Sequence, residues 1–298
     1  MPQPTILVTG ANGKLGRRVV ELLLATGEAR VIAGTRNPGK FSGLSGPNLE
    51  VRRVDFDDAA GLNAAFAGID RLLIVSTDAI LEPGRRLRQH KAAVAAAIAA
   101  QVGHVAYTSM PQPEPGSPIP FSPDHYETEQ TLAASPLRWT VLRNAWYTDS
   151  LLQSLPPRLA SGRWMTSAGE GRTAYVTRED CAQAAAAILR QPPSENTRLD
   201  VTGPEALTNA EIAAVAAGVL GKPLQVQPLT DEQLTQGLTA AKLPPFLVAL
   251  LVAGEVNTRL GRAGDTSDAV ERLTGRPATS IREFLEQYRD AFLPPATP

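Results

Sequence analysis

Thr5-Ile6-Leu7-Val8-Thr9-Gly10-Ala11-Asn12-Gly13-Lys14-Leu15-Gly16 is the stretch on which the fold turns. Its first half, TILVT, is a short apolar, β-branched run and reads as a buried strand. Its second half spaces three glycines as G-x-x-G-x-x-G. Lys14 to Ala25 then repeats apolar residues at helical spacing, with Leu15, Val19, Leu22 and Leu23 on one face. A strand that passes through glycines directly into a helix is the arrangement a dinucleotide site requires. Gly10 makes the tight turn, Gly13 clears the backbone for a pyrophosphate, and Gly16 lets the helix lie close to the sheet. The helix N-terminus offers free N–H groups and a partial positive charge to the phosphate. The expected cofactor-binding set is therefore Gly10, Ala11, Asn12, Gly13, Lys14, Leu15 and Gly16. The competing reading is a glycine turn used only for packing.

Outward from this turn, strand and helix alternate. Strands are expected at Arg30–Thr35, Leu49–Val54, Arg71–Val75 and His104–Thr108. Between them lie a helix from Ala59 to Ala67, capped by Asp58, and a long one from Pro83 to Val102. This order predicts an α/β fold, a Rossmann-type doubly wound parallel sheet covered by helices on both faces. After Ser109 the pattern loosens. Prolines at 111, 113, 115, 118, 120 and 123 forbid a helix or central strand there. Ser122-Pro123 reads as a cap and first helical position, the helix runs to about Ala134, and a strand follows at Arg138–Leu142.

The C-terminal half has weaker strands and several capped helices. Thr208-x-x-Glu211, Thr230-x-x-Gln233 and Ser280-x-x-Glu283 fit the capping box. The expected division is residues 1–150, mainly the NADP-binding domain, and 151–298, mainly a smaller α/β substrate lobe, with the chain free to cross between them. The tail Leu293–Pro298 reads as frayed.

The second strand bears on which cofactor is bound. An NAD site usually ends this strand in Asp or Glu, which bonds the ribose hydroxyls. Here it ends Thr35-Arg36-Asn37-Pro38-Gly39-Lys40. Arg36 can pair with a 2′-phosphate and Lys40 can add a second charge, so NADP(H) is the expected cofactor. Asp55 and Phe56, after the third strand, are placed beside the adenine or else in a turn and the core. Ser76 and Thr77, after the fourth strand, and Tyr107, Thr108 and Ser109, at the end of the fifth, lie where ligands of open α/β sheets bind.

Composition narrows the remaining classes. The 298 residues carry 29 Lys plus Arg against 30 Asp plus Glu, a net charge of -1, which argues against broad binding to nucleic acid or anionic membrane. Cys181 is the single cysteine, so no intrachain disulfide forms, and with three histidines a zinc cage is not expected. Cys181 itself reads as a small core residue. No apolar run reaches the length of a membrane helix, and the N-terminus lacks the marks of a signal peptide. The expectation is a cytoplasmic protein with no metal site. There is no G-x-S-x-G elbow and no G-K-[ST] ending to the glycine loop, so hydrolase and phosphate-cleaving readings fail.

The segments TGANGKLG (Thr9–Gly16), GTRNPGK (Gly34–Lys40), QHKAAVAAA (Gln89–Ala97), VAYTS (Val105–Ser109), HYETE (His125–Glu129), LRNAWY (Leu142–Tyr147) and GRPATSIREF (Gly275–Phe284) resemble the NmrA-like branch of the atypical short-chain dehydrogenase/reductase superfamily. Within it the chain is most similar to bacterial type 2 NAD(P)H:quinone oxidoreductases and their triphenylmethane-reductase relatives. The resemblance spans nearly the whole chain. Ordinary members of the superfamily use Y-x-x-x-K, with Tyr as acid/base. Here Tyr126 is followed four residues later by Gln130. In the register of the family's H-x-x-T-E pattern, Phe121 and His125 take the two places. The resemblance implies that His125 bonds the nicotinamide ribose or donates toward substrate; the alternative is a first-turn residue facing solvent. Tyr126 reads as core or pocket wall rather than as the acid. The same resemblance puts Arg143, Asn144, Ala145, Trp146 and Tyr147 beside the acceptor, where Trp146 and Tyr147 can stack on a planar ring or pack between lobes. Trp164 and Met165 are weaker pocket candidates.

A Phe cannot transfer a proton. An unactivated ketone develops alkoxide charge on reduction and needs a positioned acid. A quinone gives a delocalised hydroquinone anion that solvent protonates. The expected function is therefore NADPH-dependent two-electron reduction of quinones without flavin or metal. The alternatives are reduction of another planar acceptor, such as a triphenylmethane dye, and a non-catalytic NADP(H)-binding redox sensor that reports to a partner protein.

Overall fold

The computed structural model describes residues 3–293. The chain order is β1 (Thr5–Val8), α1 (Lys14–Thr26), β2 (Arg30–Thr35), β3 (Leu49–Arg53), α2 (Ala59–Phe66), β4 (Arg71–Ile74), α3 (Arg85–Ala99), β5 (His104–Ser109), α4 (Ser122–Ala133) and β6 (Trp139–Asn144). It continues with α5 (Leu151–Ser161), β7 (Arg163–Thr166), β8 (Arg172–Thr173), α6 (Arg178–Arg190), β9 (Thr197–Val201), β10 (Leu207–Thr208), α7 (Asn209–Leu220), β11 (Gln225–Pro228), α8 (Asp231–Ala240), α9 (Pro245–Arg259), α10 (Ala269–Thr274), α11 (Ile281–Gln287) and α12 (Arg289–Phe292).

Seven parallel strands form the main sheet in the order β3-β2-β1-β4-β5-β6-β9. The order reverses between β1 and β4, which opens a crevice at their carboxyl ends. Apolar side chains fill both faces of the central strands, which read as continuous hydrophobic runs, whereas the edge strands β3 and β9 carry charged residues. On one face α1 and α6 close a core that includes Val19, Leu23, Ile188 and Leu189. Cys181 is buried in that core. On the other face lie α2, α3 and α4, around Leu62, Phe66, Val94 and Leu132. A third core joins α5, α7, α11 and α12 around Trp164, Ile212 and Phe284, all from beyond residue 150. The small pairs β11–β7 and β10–β8 belong to this lobe. The chain crosses back before it finishes, because α6 and β9 complete the main sheet.

Several boundaries differ from those expected. The long helix starts at Arg85 because Gly84 is left-handed (φ 74°), and it ends at Ala99. β4 ends at Ile74, since the Val75 N–H leaves the ladder for the Thr9 hydroxyl at 2.9 Å. α4 is capped by Phe121 rather than Ser122; the Ser122 N–H already donates to the Ile119 carbonyl, so the turn begins one residue early. β6 runs on through Arg143 and Asn144 because β9 pairs with both. All three capping boxes form. Of the tail expected to fray, Leu293–Pro298, residues 294–298 lie outside the described residues.

Candidate active site in the dinucleotide crevice

The crevice is lined by Thr9, Gly10, Asn12 and Gly13 after β1, by Thr35 and Arg36 at β2, by Phe56 after β3, and by Ser76 and Thr77 after β4. Gly10 has φ +63°, a left-handed turn that L side chains resist. A Cβ on Gly16 would sit 2.5 Å from the Gly10 carbonyl oxygen, so α1 can lie this close to the turn only with glycine there. The Gly13 N–H donates to the Gly10 carbonyl at 2.8 Å and the Ala11 N–H to the Gly34 carbonyl at 3.0 Å. These bonds lock the loop. α1 then starts with no side-chain cap and no acid in its first turn. Its first N–H groups and dipole are left for an anion. Ala11 and Leu15 point into the core, and Lys14 is exposed. Asn12 donates to the Thr35 hydroxyl (2.7 Å) and the Asn37 carbonyl (3.2 Å), which fixes the end of β2 against the loop.

Arg36 projects from that end with its side chain 64% exposed, 3.7 Å from the more exposed Asp78. Such a surface pair holds neither partner strongly, so the guanidinium is open to a phosphate. Lys40 is exposed on the short turn Pro38–Lys40 beside it. Asp55 accepts from Arg53 (2.9 Å) and from the Asp57 N–H (3.2 Å), whereas Phe56 forms part of the wall.

Beyond β4 the backbone N–H groups of Val75, Ser76 and Thr77 donate to Thr9 Oγ1, Thr108 Oγ1 and His90 Nε2 at 2.9, 2.9 and 3.1 Å. Side chains from three other segments thus hold this strand end open. Thr108 acts through Ser76 rather than on the crevice itself. Ser109 donates to Glu129 at 2.6 Å. Thr77 Oγ1 and Gln89 Oε1 are buried without a partner among the described residues, and both residues line the crevice. An uncapped helix start, a free guanidinium and unsatisfied polar atoms fit a bound NADP(H).

His125 is buried, which removes the solvent-facing alternative. Arg86 Nη2 lies 2.8 Å from its Nε2 and the Tyr107 hydroxyl 2.8 Å from its Nδ1. Arginine only donates, so Nε2 accepts and the ring proton sits on Nδ1, facing Tyr107. By the same logic the Thr77 N–H puts the His90 proton on Nδ1, 3.0 Å from the Thr128 hydroxyl. Thr128 donates onward to the Asp124 carbonyl at 2.6 Å. Burial pushes His90 down to about 3 and holds His125 well below the usual histidine value, and the Arg86 charge adds to both. Burial pushes the Tyr107 phenol up. At neutral pH all three rings are neutral, and both nitrogens of His125 are engaged inside the protein. Phe121 is half-buried, 5.0 Å from the Arg86 guanidinium carbon and 6.0 Å from the His125 ring. Tyr126, next to His125, is half-buried.

The LRNAWY segment divides. Arg143 reaches Glu129 at 2.7 Å and Glu114 at 2.6 Å, and Arg198 reaches the same Glu129 at 2.9 Å. Its guanidinium is thus committed to carboxylates. Asn144 donates to the Tyr147 hydroxyl at 3.3 Å, while its Oδ1 is buried and unpartnered among the described residues. Ala145 joins the sheet core, and Trp146 is half-buried. Burial pushes the Tyr147 phenol up, and its ring lies 4.8 Å from the Arg178 guanidinium. Trp164 belongs to the lobe core and Met165 is 52% exposed.

The sequence reading did not single out Arg86, Gln89 or His90 as site residues. Their spacing, i, i+3 and i+4 on one helix, puts them on one face, and that signal was available.

The NAD(P)H-binding family pattern matches residues 10–192. Quinone oxidoreductase 2 of Escherichia coli (strain K12) is 35% identical over 281 residues, 94% of this chain and 97% of the relative. The crystal structure of an NADPH-dependent quinone oxidoreductase from Escherichia coli complexed with NADPH is similar at a TM-score of 0.88 and 34% identity, covering 95% of this chain and 99% of that one. Triphenylmethane reductase of Citrobacter sp. complexed with NADP(H) is similar at 0.87 and 34%, with the same coverage. With the glycine loop, the open crevice and these matches together, the chain belongs to the NAD(P)H-binding family.

Proposed function

We propose that the protein is an NADPH-dependent quinone oxidoreductase. The observation that carries this reading is Phe121, which takes the place of the superfamily's acid by the resemblance and packs against Arg86, beside a neutral His125 with both nitrogens engaged. A site of this kind suits an acceptor that needs no protein acid. Bound NADPH supplies a hydride. The N-terminus of α1 holds the pyrophosphate and Arg36, with Lys40 beside it, holds the 2′-phosphate. Thr9, Thr108 and His90 fix the strand end against which the nicotinamide side lies. Asn144, Trp146 and Tyr147 would form the acceptor side and hold a flat ring against the donor. Water protonates the product. His125 serves by holding Arg86 in place rather than by giving up a proton.

The Citrobacter relative favours a second acceptor class, triphenylmethane dyes. The test is turnover. Purified protein is mixed with NADPH and menadione or 1,4-benzoquinone, and absorbance at 340 nm is followed against a no-enzyme control. Quinone-dependent oxidation is expected. Turnover with dyes alone would replace the quinone by the dye, and tight NADPH binding with no turnover across both classes would make the protein a sensor.

A further inference from the structure

Gln89, on α3, is 4% exposed and lines the crevice together with Val54, Phe56 and Arg36. Its Nε2 donates to Asp57 Oδ2 at 2.9 Å. Arg85 reaches the same oxygen at 2.7 Å and holds the Asp57 carboxyl below the usual carboxylate range. An ionised carboxylate only accepts, so the Gln89 amide stands one way round, with its NH2 toward Asp57 and its carbonyl turned away. That carbonyl oxygen, Oε1, is buried and has no hydrogen-bond partner among the described residues. A buried acceptor left unpaired is costly, and the side of Gln89 not packed in protein is the crevice. The missing donor therefore belongs to what the crevice holds. Two kinds of neighbour say which part of a dinucleotide comes here. Arg36 holds the 2′-phosphate of the adenosine ribose in the reading above, and the apolar Val54 and Phe56 make a wall suited to a flat ring. Asp55, expected beside the adenine, is spent elsewhere: its carboxylate accepts from Arg53 at 2.9 Å and from the Asp57 N–H at 3.2 Å. The adenine ring itself offers acceptor nitrogens and a single donor group, its exocyclic amine.

We propose that Gln89 is the specificity-determining residue for the base of the cofactor, its Oε1 accepting a hydrogen bond from the exocyclic amine of adenine, with Asp57 as the positioning residue that fixes the amide. The proposal rests on NADP(H) occupying the crevice and is independent of the acceptor reduced. A fixed acceptor discriminates in two ways. It favours a base with an amine at that place. It also rejects a base with a carbonyl there, as in hypoxanthine or guanine, because two oxygens would face each other with no proton between them. The glutamine cannot turn over to suit the carbonyl, since that would set its own oxygen against the Asp57 carboxylate.

The test is binding without turnover, read by isothermal titration calorimetry. The ligands are NADP+ and the analogue in which hypoxanthine replaces adenine, so that a carbonyl takes the place of the amine. Wild type is expected to bind NADP+ about tenfold or more tighter than the analogue. Gln89→Met keeps the length and loses the amide; it should bring the two ligands within about twofold of each other. Its preference for NADP+ over NAD+ should stay within about twofold of wild type, because Arg36 is untouched, whereas a general disturbance of the crevice would move it. Asp57→Asn frees the amide to turn over and should lower the ratio between NADP+ and the analogue by about threefold or more. Equal affinity of wild type for the two ligands overturns the proposal. So does a Gln89→Met protein that weakens both by the same factor, which would put the carbonyl on a ribose hydroxyl instead. If Gln89→Met fails to fold, wild type and Asp57→Asn decide, and an unchanged ratio in Asp57→Asn overturns it. A wild type that binds no NADP+ overturns the cofactor site and this proposal with it, while the expected binding without quinone turnover refutes the quinone reading alone.

Discussion

Arg36 stands at the rim of the crevice with a single exposed carboxylate near it. A charge-assisted bond to a phosphate contributes about 1.5–3 kcal/mol. Arg36→Asp is therefore expected to raise KM for NADPH by roughly 10- to 100-fold while changing KM for NADH much less; an equal loss for both cofactors would remove the phosphate argument. Phe121→Tyr puts a hydroxyl where the resemblance sets the superfamily's acid. It is expected to leave kcat for menadione within about twofold, because solvent already supplies the proton. A large gain would show that proton delivery had been limiting. At this scale the glycine loop and Arg36 were legible because each is local, a turn and the residue that ends a strand. The Arg86, His90, Tyr107, His125 and Thr128 cluster was not. Its members come from two helices and a strand up to 42 positions apart, and only the packing of α3 against α4 and β5 gives them shared hydrogen bonds.

Among the elements, α4 shows how far a motif can be read. Its Glu129 is fully buried and accepts from Ser109, Arg143 and Arg198, which ties the helix to β5, β6 and β9. Breaking a buried pair leaves an uncompensated charge and costs about 3–5 kcal/mol. Glu129→Gln should lose stability on that order in a urea titration, even though the residue does not line the crevice. This ion-pair network also explains why the guanidinium of Arg143, put beside the acceptor by the resemblance, is occupied elsewhere. Local signals fixed the strand cores and the capping boxes. They failed at the ends of α3, α4 and β6, where a left-handed glycine, an early turn and a later strand set the boundaries.

For the whole molecule, three buried histidines tie stability to pH. Burial pushes His90 down to about 3 and His104 to about 4, and His125 lies well below its usual value. In the unfolded chain each takes a proton near pH 6.5. Between that pH and about 4 the unfolded state binds more protons, so stability falls as pH falls, by up to about 1.4 kcal/mol per pH unit for each histidine. Above pH 7 these groups add no pH dependence. The melting temperature should be level from pH 7 to 8 and drop steadily from 6.5 to 4.5. His104→Asn should make that drop shallower; an unchanged slope would count against a neutral buried His104. The shift to weaker strands after residue 150 was legible, but the return of α6 and β9 to the main sheet was not, since nothing local distinguishes a strand that pairs with β6 from any other.

That return also sets an order on synthesis. When the first 150 residues have left the ribosome, β6 has an open edge and α1 a bare apolar face, because β9 and α6 do not yet exist. Both are sticky surfaces for neighbouring chains. The nucleotide half cannot finish folding ahead of the rest. It waits for roughly fifty further residues, and α1, whose first turn faces the crevice, gains its packing partner α6 only as a late event in the life of the nascent chain.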